Sequence, residues 1–168
     1  MNISSFSGFI VERIISGGQT GVDRAALDVC FKLNVAHGGW CPRGRRAEDG
    51  VIAACYQLVE TKSDDYSERT KLNIQDSTGT LIIVPSLPLM VNDGTVLTME
   101  HVKKLNKPHY ILDLSKADQQ ESQLLAWLHA HKIVVLNVAG PRESQANGIY
   151  DGAFGFLEKF IINYFRVL

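Results

Sequence analysis

The chain has 168 residues, 45% of them apolar and 21% charged, with a formal net charge of −1. Such a chain buries a core of ordinary size in one domain, expected over residues 1–168, and its balanced charge lends no support to a general affinity for nucleic acid or an acidic membrane. The apolar runs "LIIVP" and "IVVLNVA" have strand length, far short of the ~20 residues of a membrane span; with no secretory leader and no framework spacing among Cys30, Cys41 and Cys55, a reducing, cytoplasmic setting with free thiols is expected.

In chain order, Val11–Ser16 reads as a buried strand. Val22–Leu33 reads as a helix, because Val22, Ala25, Ala26, Val29, Cys30 and Leu33 recur on one face. Between them lies "SGGQTG", Ser16 to Gly21. Against the dinucleotide fingerprint G-x-G-x-x-G, Gly18 and Gly21 take the second and third glycine positions, and Ser16 replaces the first. Two readings stand. One is a tight strand–helix turn. The other is a phosphate-type site, in which Gly17, Gly18, Gln19, Thr20 and Gly21 bring backbone close to an anion at a helix N-terminus. A nicotinamide nucleotide is the weaker ligand, because "GGWC" stands where its ribose-binding acid belongs. A P-loop is excluded, since no lysine follows the glycines.

Val35–Gly39 is a candidate second strand, and Trp40–Gly50, "WCPRGRRAEDG", reads as a polar loop. Its Arg43, Arg45 and Arg46 form a local positive cluster suited to phosphate, or else a solvated loop partly neutralised by Glu48 and Asp49. Cys41 has only His37 nearby as a partner and reads as a packed or accessible thiol. Tyr56–Thr61 is expected as a third short strand. Ser63 reads as the N-cap of a helix reaching about Gln75. On that helix Arg69, Asn73 and Asp76 fall on one polar stripe, facing solvent or ligand.

Thr80–Val84 follows as a strand, and Gly94–Thr95, within "NDGTVLT" (Asn92–Thr98), opens a helix to about Leu105. His109–Leu114 is a strand, Gln119–His131 a helix, and Ile133–Ala139 a strand. "AGPRES" then leaves that strand, carrying Arg142. Ile149–Phe165 is the last helix, apolar along Ile149, Ala153, Phe156, Leu157, Phe160, Ile161 and Tyr164. The five histidines lack metal-ligand spacing. Apolar strands alternating with helices predict an α/β fold: a doubly wound, mostly parallel sheet with helices on both faces. Ligands of such sheets bind beyond the carboxyl ends of the strands, where the glycine-bearing loops gather.

The stretches "ISGGQTGVDRAALD", "GGWCPRGRRAEDG", "ETKSDDYSERTKLNIQDS", "DGTVLT" and "LNVAGPRESQANGIY" resemble the putative molybdenum carrier family, over roughly residues 12–160. The resemblance implies a Rossmann-like fold related to the phosphoribohydrolases that activate cytokinins. It implies binding of molybdenum cofactor (molybdopterin), a pterin with a terminal phosphate, and assembly into homo-oligomers, dimer or tetramer. On this reading Gly17, Gly18, Gln19, Thr20 and Gly21 cradle the phosphate of a small anionic ligand. Arg24, Arg43, Arg45, Arg46 and Arg69 supply charge, with Asn73 and Asp76 beside Arg69. Gly94, Thr95 and Thr98 offer a second helix end, and the metal belongs to the cofactor. A nucleotide or simple phosphate is the alternative ligand. A phosphoribohydrolase-type enzyme and a nucleotide sensor are the rival functions. Against the enzyme, the phosphoribohydrolase motif G-T-x-x-E places a carboxylate three residues after its Gly-Thr pair, and this chain has Thr98 there.

Overall fold

The computed structural model describes residues 11–89 and 93–165; Asn92, at the head of "NDGTVLT", lies outside them. Strand β1 is Arg13–Ile15, and helix α1 is Val22–Lys32. The helix buries Val22, Ala25, Ala26, Val29 and Cys30, the face set by its apolar period, and carries Asp23 at its start and Lys32 at its end, as the helix dipole favours. Asn34, at φ 54, turns the chain into strand β2, His37–Gly38.

The next stretch departs from the expected loop. Trp40–Cys41 forms strand β3, Arg46–Ala47 forms β4, and Gly50–Val51 forms β5, antiparallel to β4. Of the expected strand Tyr56–Thr61, only Val59–Glu60 is extended. It forms β6, which pairs in parallel with β3 outside the main sheet. Pairings of two residues carry no readable alternation, so tertiary contacts decide them. Helix α2 runs Tyr66–Asp76, and its cap is Asp65, whose carboxylate accepts from Ser67 N at 2.9 Å. Ser63, the expected cap, lies two residues before it, its hydroxyl accepting from Asp65 N at 3.0 Å.

Beyond it come β7 (Gly79–Val84), α3 (Asp93–Lys104), β8 (His109–Asp113), α4 (Ala117–Ala130), β9 (Val135–Ala139) and α5 (Ile149–Tyr164). The five-stranded sheet has the order β2-β1-β9-β7-β8 and is parallel throughout. From β1 the chain crosses outward through α1 to β2; from β7 it crosses the other way through α3 to β8. The last strand, β9, lies between these two halves. Ile15 pairs with Asn137, and Asn137 with Thr80, so the loops leaving β1 and β7 flank the one leaving β9.

Side chains alternate across the sheet. Leu81, Ile83, Leu136 and Val138 join the core under α1, α4 and α5, whereas Ile82 and Val84 pack with Ile74 of α2 and Val102 of α3. Helices therefore cover both faces, and α2 and α3 share one of them. No helix among the described residues is long and apolar enough to cross a membrane.

Candidate functional site

The turn after β1 is held from several sides. Ser16 donates its hydroxyl to Val138 O at 2.8 Å, tying it to β9. Each of three glycines meets protein where a side chain would stand. A Cβ on Gly17 would lie 2.0 Å from Arg69 Nη1. On Gly18, at φ 75, it would lie 2.7 Å from Leu58, and on Gly21, at φ 73, it would lie 2.4 Å from Pro141 O. Close packing thus accounts for all three glycines, and left-handed backbone for two of them.

Under this turn lies a carboxylate. Asp23 is 3% exposed, and its Oδ2 accepts from Arg69 Nη1 at 2.9 Å and from Gln19 N at 3.4 Å. Burial pushes this carboxyl above the ordinary range, and the Arg69 charge acts against the rise. Gln19, also buried, accepts at Oε1 from Thr20 N at 3.0 Å and from Glu48 N at 2.9 Å.

A second carboxylate lies on the outer side of the turn. Glu48 Oε1 accepts from the Thr20 hydroxyl and, at 3.1 Å, from Ser144 N. Its Oε2 accepts from Ser144 Oγ at 2.5 Å and lies 4.0 Å from Arg142 Nε. Thr20 Oγ1 in turn accepts from Glu143 N at 3.2 Å. Three loops therefore meet here: those after β1 and β9, and the β4–β5 hairpin. Burial raises the Glu48 carboxyl, but the Ser144 and Thr20 bonds and the Arg142 charge together hold it below its usual value.

The predicted arginines do not converge. Arg45, at φ 52, directs its guanidinium at four carbonyls: Ile52 O at 2.9 Å, Leu58 O at 3.3 Å, Ala53 O at 2.8 Å and Tyr56 O at 3.0 Å. It knits segment 52–58 into shape. Arg46 pairs with Asp64 at 3.1 Å, both exposed, and Arg43 is exposed, its backbone N–H bonded to Ser63 O. Arg24 grips Gly18 O and Asp49. It borders a cavity of about 300 Å³ that Asp28, Asp49 and Glu143 also line, an acidic lining unsuited to an anion. A wider cavity of about 830 Å³ lies at the opposite, amino edge, beside Asn34, Ala36 and His37.

The α2 stripe turns inward, against β3 and the glycine turn. Asn73 brackets Trp40, accepting from its N–H at 2.8 Å and donating to its carbonyl at 3.0 Å. Asp76 accepts from the Trp40 indole Nε1 at 2.7 Å. Of the stripe, Arg69 alone reaches the turn. Gly94 lies in the first turn of α3, followed by Thr95, 2% exposed, and Thr98, 5% exposed.

Five buried polar atoms have no hydrogen-bond partner among the described residues; besides His37 Nε2 and Glu121 Oε1, which lie elsewhere in the fold, they are Gln19 Nε2, Arg69 Nε and Thr95 Oγ1. Of these last three, two are obligate donors and the third is a hydroxyl, so the group they lack is an acceptor. They lie on the loop after β1, on α2 beside it, and at the head of the helix after β7. No cluster of three or more ligating side chains among the described residues could hold a metal ion. Reading the sequence missed the pairing of Asp23 with Arg69, of Glu48 with Thr20 and of Ser144 with Glu48. These partners are 46, 28 and 96 residues apart, a relationship no local pattern signals.

A parallel sheet whose crossovers diverge around a central strand, with glycine turns at its carboxyl edge, is a Rossmann-like α/β architecture built to take ligands at that edge. The chain belongs to the circularly permutated YpsA SLOG family, whose model matches residues 14–161. It is 42% identical to a putative molybdenum carrier protein from Syntrophus aciditrophicus SB, known from a crystal structure. That likeness covers 91% of this chain and 96% of the other, with a TM-score of 0.83. No curated protein matches the chain.

Proposed function

We propose that the protein binds an anionic, phosphate-bearing small molecule at the carboxyl edge of its sheet, in a carrier role, with molybdenum cofactor as the leading ligand. The observation that carries this reading is the set of buried donors lacking an acceptor: Gln19 Nε2, Arg69 Nε and Thr95 Oγ1. A buried polar group left unpaired costs about 1–3 kcal/mol, so three around one edge favour a ligand rich in acceptor oxygens. The name of the Syntrophus relative points to the same ligand class. Gly94 and Thr95 at the head of α3 add N–H groups suited to a phosphate. Asn73, Asp76 and Arg45 serve as scaffold, since their polar atoms already bond to protein. Association into a homo-oligomer in the cytoplasm goes with this role.

Binding is favoured over hydrolysis of a nucleotide. Position 98, where a carboxylate would steady positive charge on a departing sugar, holds a buried neutral threonine. Of the other acids that could stand in for it, Asp23, Asp76 and Asp93, two are engaged elsewhere: Asp23 with Arg69, and Asp76 with Trp40. Glu100 is exposed and about 200° around the helix from Thr98.

Native mass spectrometry of the purified protein tests the reading. The expected result is a phosphate-bearing small molecule that stays with the native chain and leaves on denaturation, with Thr95→Val weakening its retention. Absence of any such ligand, together with no affinity for pterin phosphates or mononucleotides, overturns it. Release of free base from a nucleoside monophosphate would establish the hydrolase instead.

A further inference from the structure

We propose that Thr20, Ser144 and Arg142 form an oxyanion subsite for a phosphoryl group, and that the chain's own Glu48 fills this subsite until the ligand displaces it. The inference rests on the phosphate-ligand reading above and extends it to a place and a gate.

The geometry is that of a site with an anion already in it. Two hydroxyls, one backbone N–H and one guanidinium converge from two strand-end loops on the Glu48 carboxylate. Hydroxyl, amide and arginine donors are the set that receives phosphate oxygens. A second feature is independent of the carboxylate. Gln19 is 5% exposed, its Oε1 bonded to Glu48 N, yet Nε2 of the same amide has no partner among the described residues. Glu48 satisfies the cradle and leaves that donor empty. A tetrahedral group has an oxygen more than a carboxylate and can carry a second negative charge toward Arg142.

Glu48 is also placed to leave. It sits at the turn of the β4–β5 hairpin, outside the core: Val51 is 77% exposed, and Gly50, at φ 120, has nothing within 4 Å of its Cβ position. Its flanking ties are the exposed Arg46–Asp64 ion pair, of the kind worth about 0–1 kcal/mol, the Arg24–Asp49 pair, whose arginine is 17% exposed, and the bond from Glu48 N to Gln19 Oε1. Ile52, 1% exposed, anchors the chain just beyond, so the hairpin can swing without opening the core.

Calorimetric titration with inorganic phosphate tests this in the full-length wild type, Glu48→Ala and Glu48→Ala/Ser144→Ala, with thermal melts confirming folded protein. A subsite freed of its internal competitor binds phosphate about tenfold or more tighter in Glu48→Ala, and the gain disappears in the double variant. Equal or weaker binding in Glu48→Ala makes Glu48 a structural cross-link and overturns the proposal. Should that variant fail to fold, hydrogen exchange on the wild type decides: saturating phosphate must speed exchange in residues 46–51, and slowed or unchanged exchange refutes displacement. Titration with a pterin phosphate separates the two readings. Pterin phosphate binding without a phosphate gain in Glu48→Ala removes the gate alone. A phosphate gain with no pterin phosphate or nucleotide binding by any form removes the carrier role and leaves the subsite.

Discussion

Arg69 lies over Gly17 and holds Asp23 at 2.9 Å, so the glycine turn contains a buried ion pair of the protein's own. The side chains are 14% and 4% exposed. Removing one member leaves the other charge buried without compensation. Arg69→Met is therefore expected to cost about 3–5 kcal/mol in urea unfolding. Asp23→Asn/Arg69→Met recovers much of it. Burial already raises the Asp23 carboxyl, so without Arg69 the protonated form is favoured further, and the single variant regains stability as pH falls toward the ordinary carboxylate value. A loss under 1 kcal/mol at neutral pH would contradict the arrangement.

The glycines separate backbone strain from crowding. Gly148, at φ 80, has nothing within 4 Å of its Cβ position, so Gly148→Ala carries only the left-handed penalty of about 1–2 kcal/mol. Gly18→Ala adds a collision with Leu58 and Ile52, a further loss of about 1–3 kcal/mol. Denaturant midpoints of the two variants should rank in that order. For the same reason Gly18→Val disturbs the fold, and Thr95→Val is the cleaner probe of ligand binding.

Asn73 fixes strand β3 through both Trp40 backbone groups. Asn73→Ala strands two polar groups, at about 1–3 kcal/mol each where they stay buried. In a Trp127→Phe background the fluorescence reports Trp40 alone, and its emission should shift as β3 loosens. An unchanged spectrum and melting temperature would show that β3 is held by other means.

Burial lifts the Cys30 thiol from its ordinary 9.0 to about 12. A folded value above the unfolded one gives stability that is present below pH 9 and lost as pH rises toward 12. Tyr56 and Tyr150, raised first by burial and then by their bonds to Asp28, act in the same direction. Alkaline unfolding should thus set in across that window, and Cys30→Ala should flatten the pH slope. At pH 8 a thiol reagent should label exposed Cys55 in the native protein and spare buried Cys30 and Cys41. Labelling of all three at one rate would refute the packing.

The elements with long apolar period were legible without coordinates. Helix α1, with Val22, Ala25, Ala26, Val29 and Cys30 on one side, and helix α5, with Phe156, Leu157, Phe160 and Ile161, bury the faces their spacing predicts. Continuous apolar character in β7 and β9 announced a parallel sheet, because strands covered on both faces need no polar side. Residues 40–61 were opaque, since their pairings are two residues long and depend on Arg45 gathering carbonyls up to thirteen positions away.

The sequence by itself determined that this is an α/β protein with glycine turns at its strand ends and a polar stripe on α2, because periodicity and turn chemistry act over a few residues. Only the tertiary structure decided what those features face. It put Asp23 and Arg69 inside the turn, gave the stripe to Trp40, and set Glu48 among Thr20, Arg142 and Ser144. Those partners meet because strand β9 enters the sheet between β1 and β7, and the chain closes that neighbourhood only with its last strand.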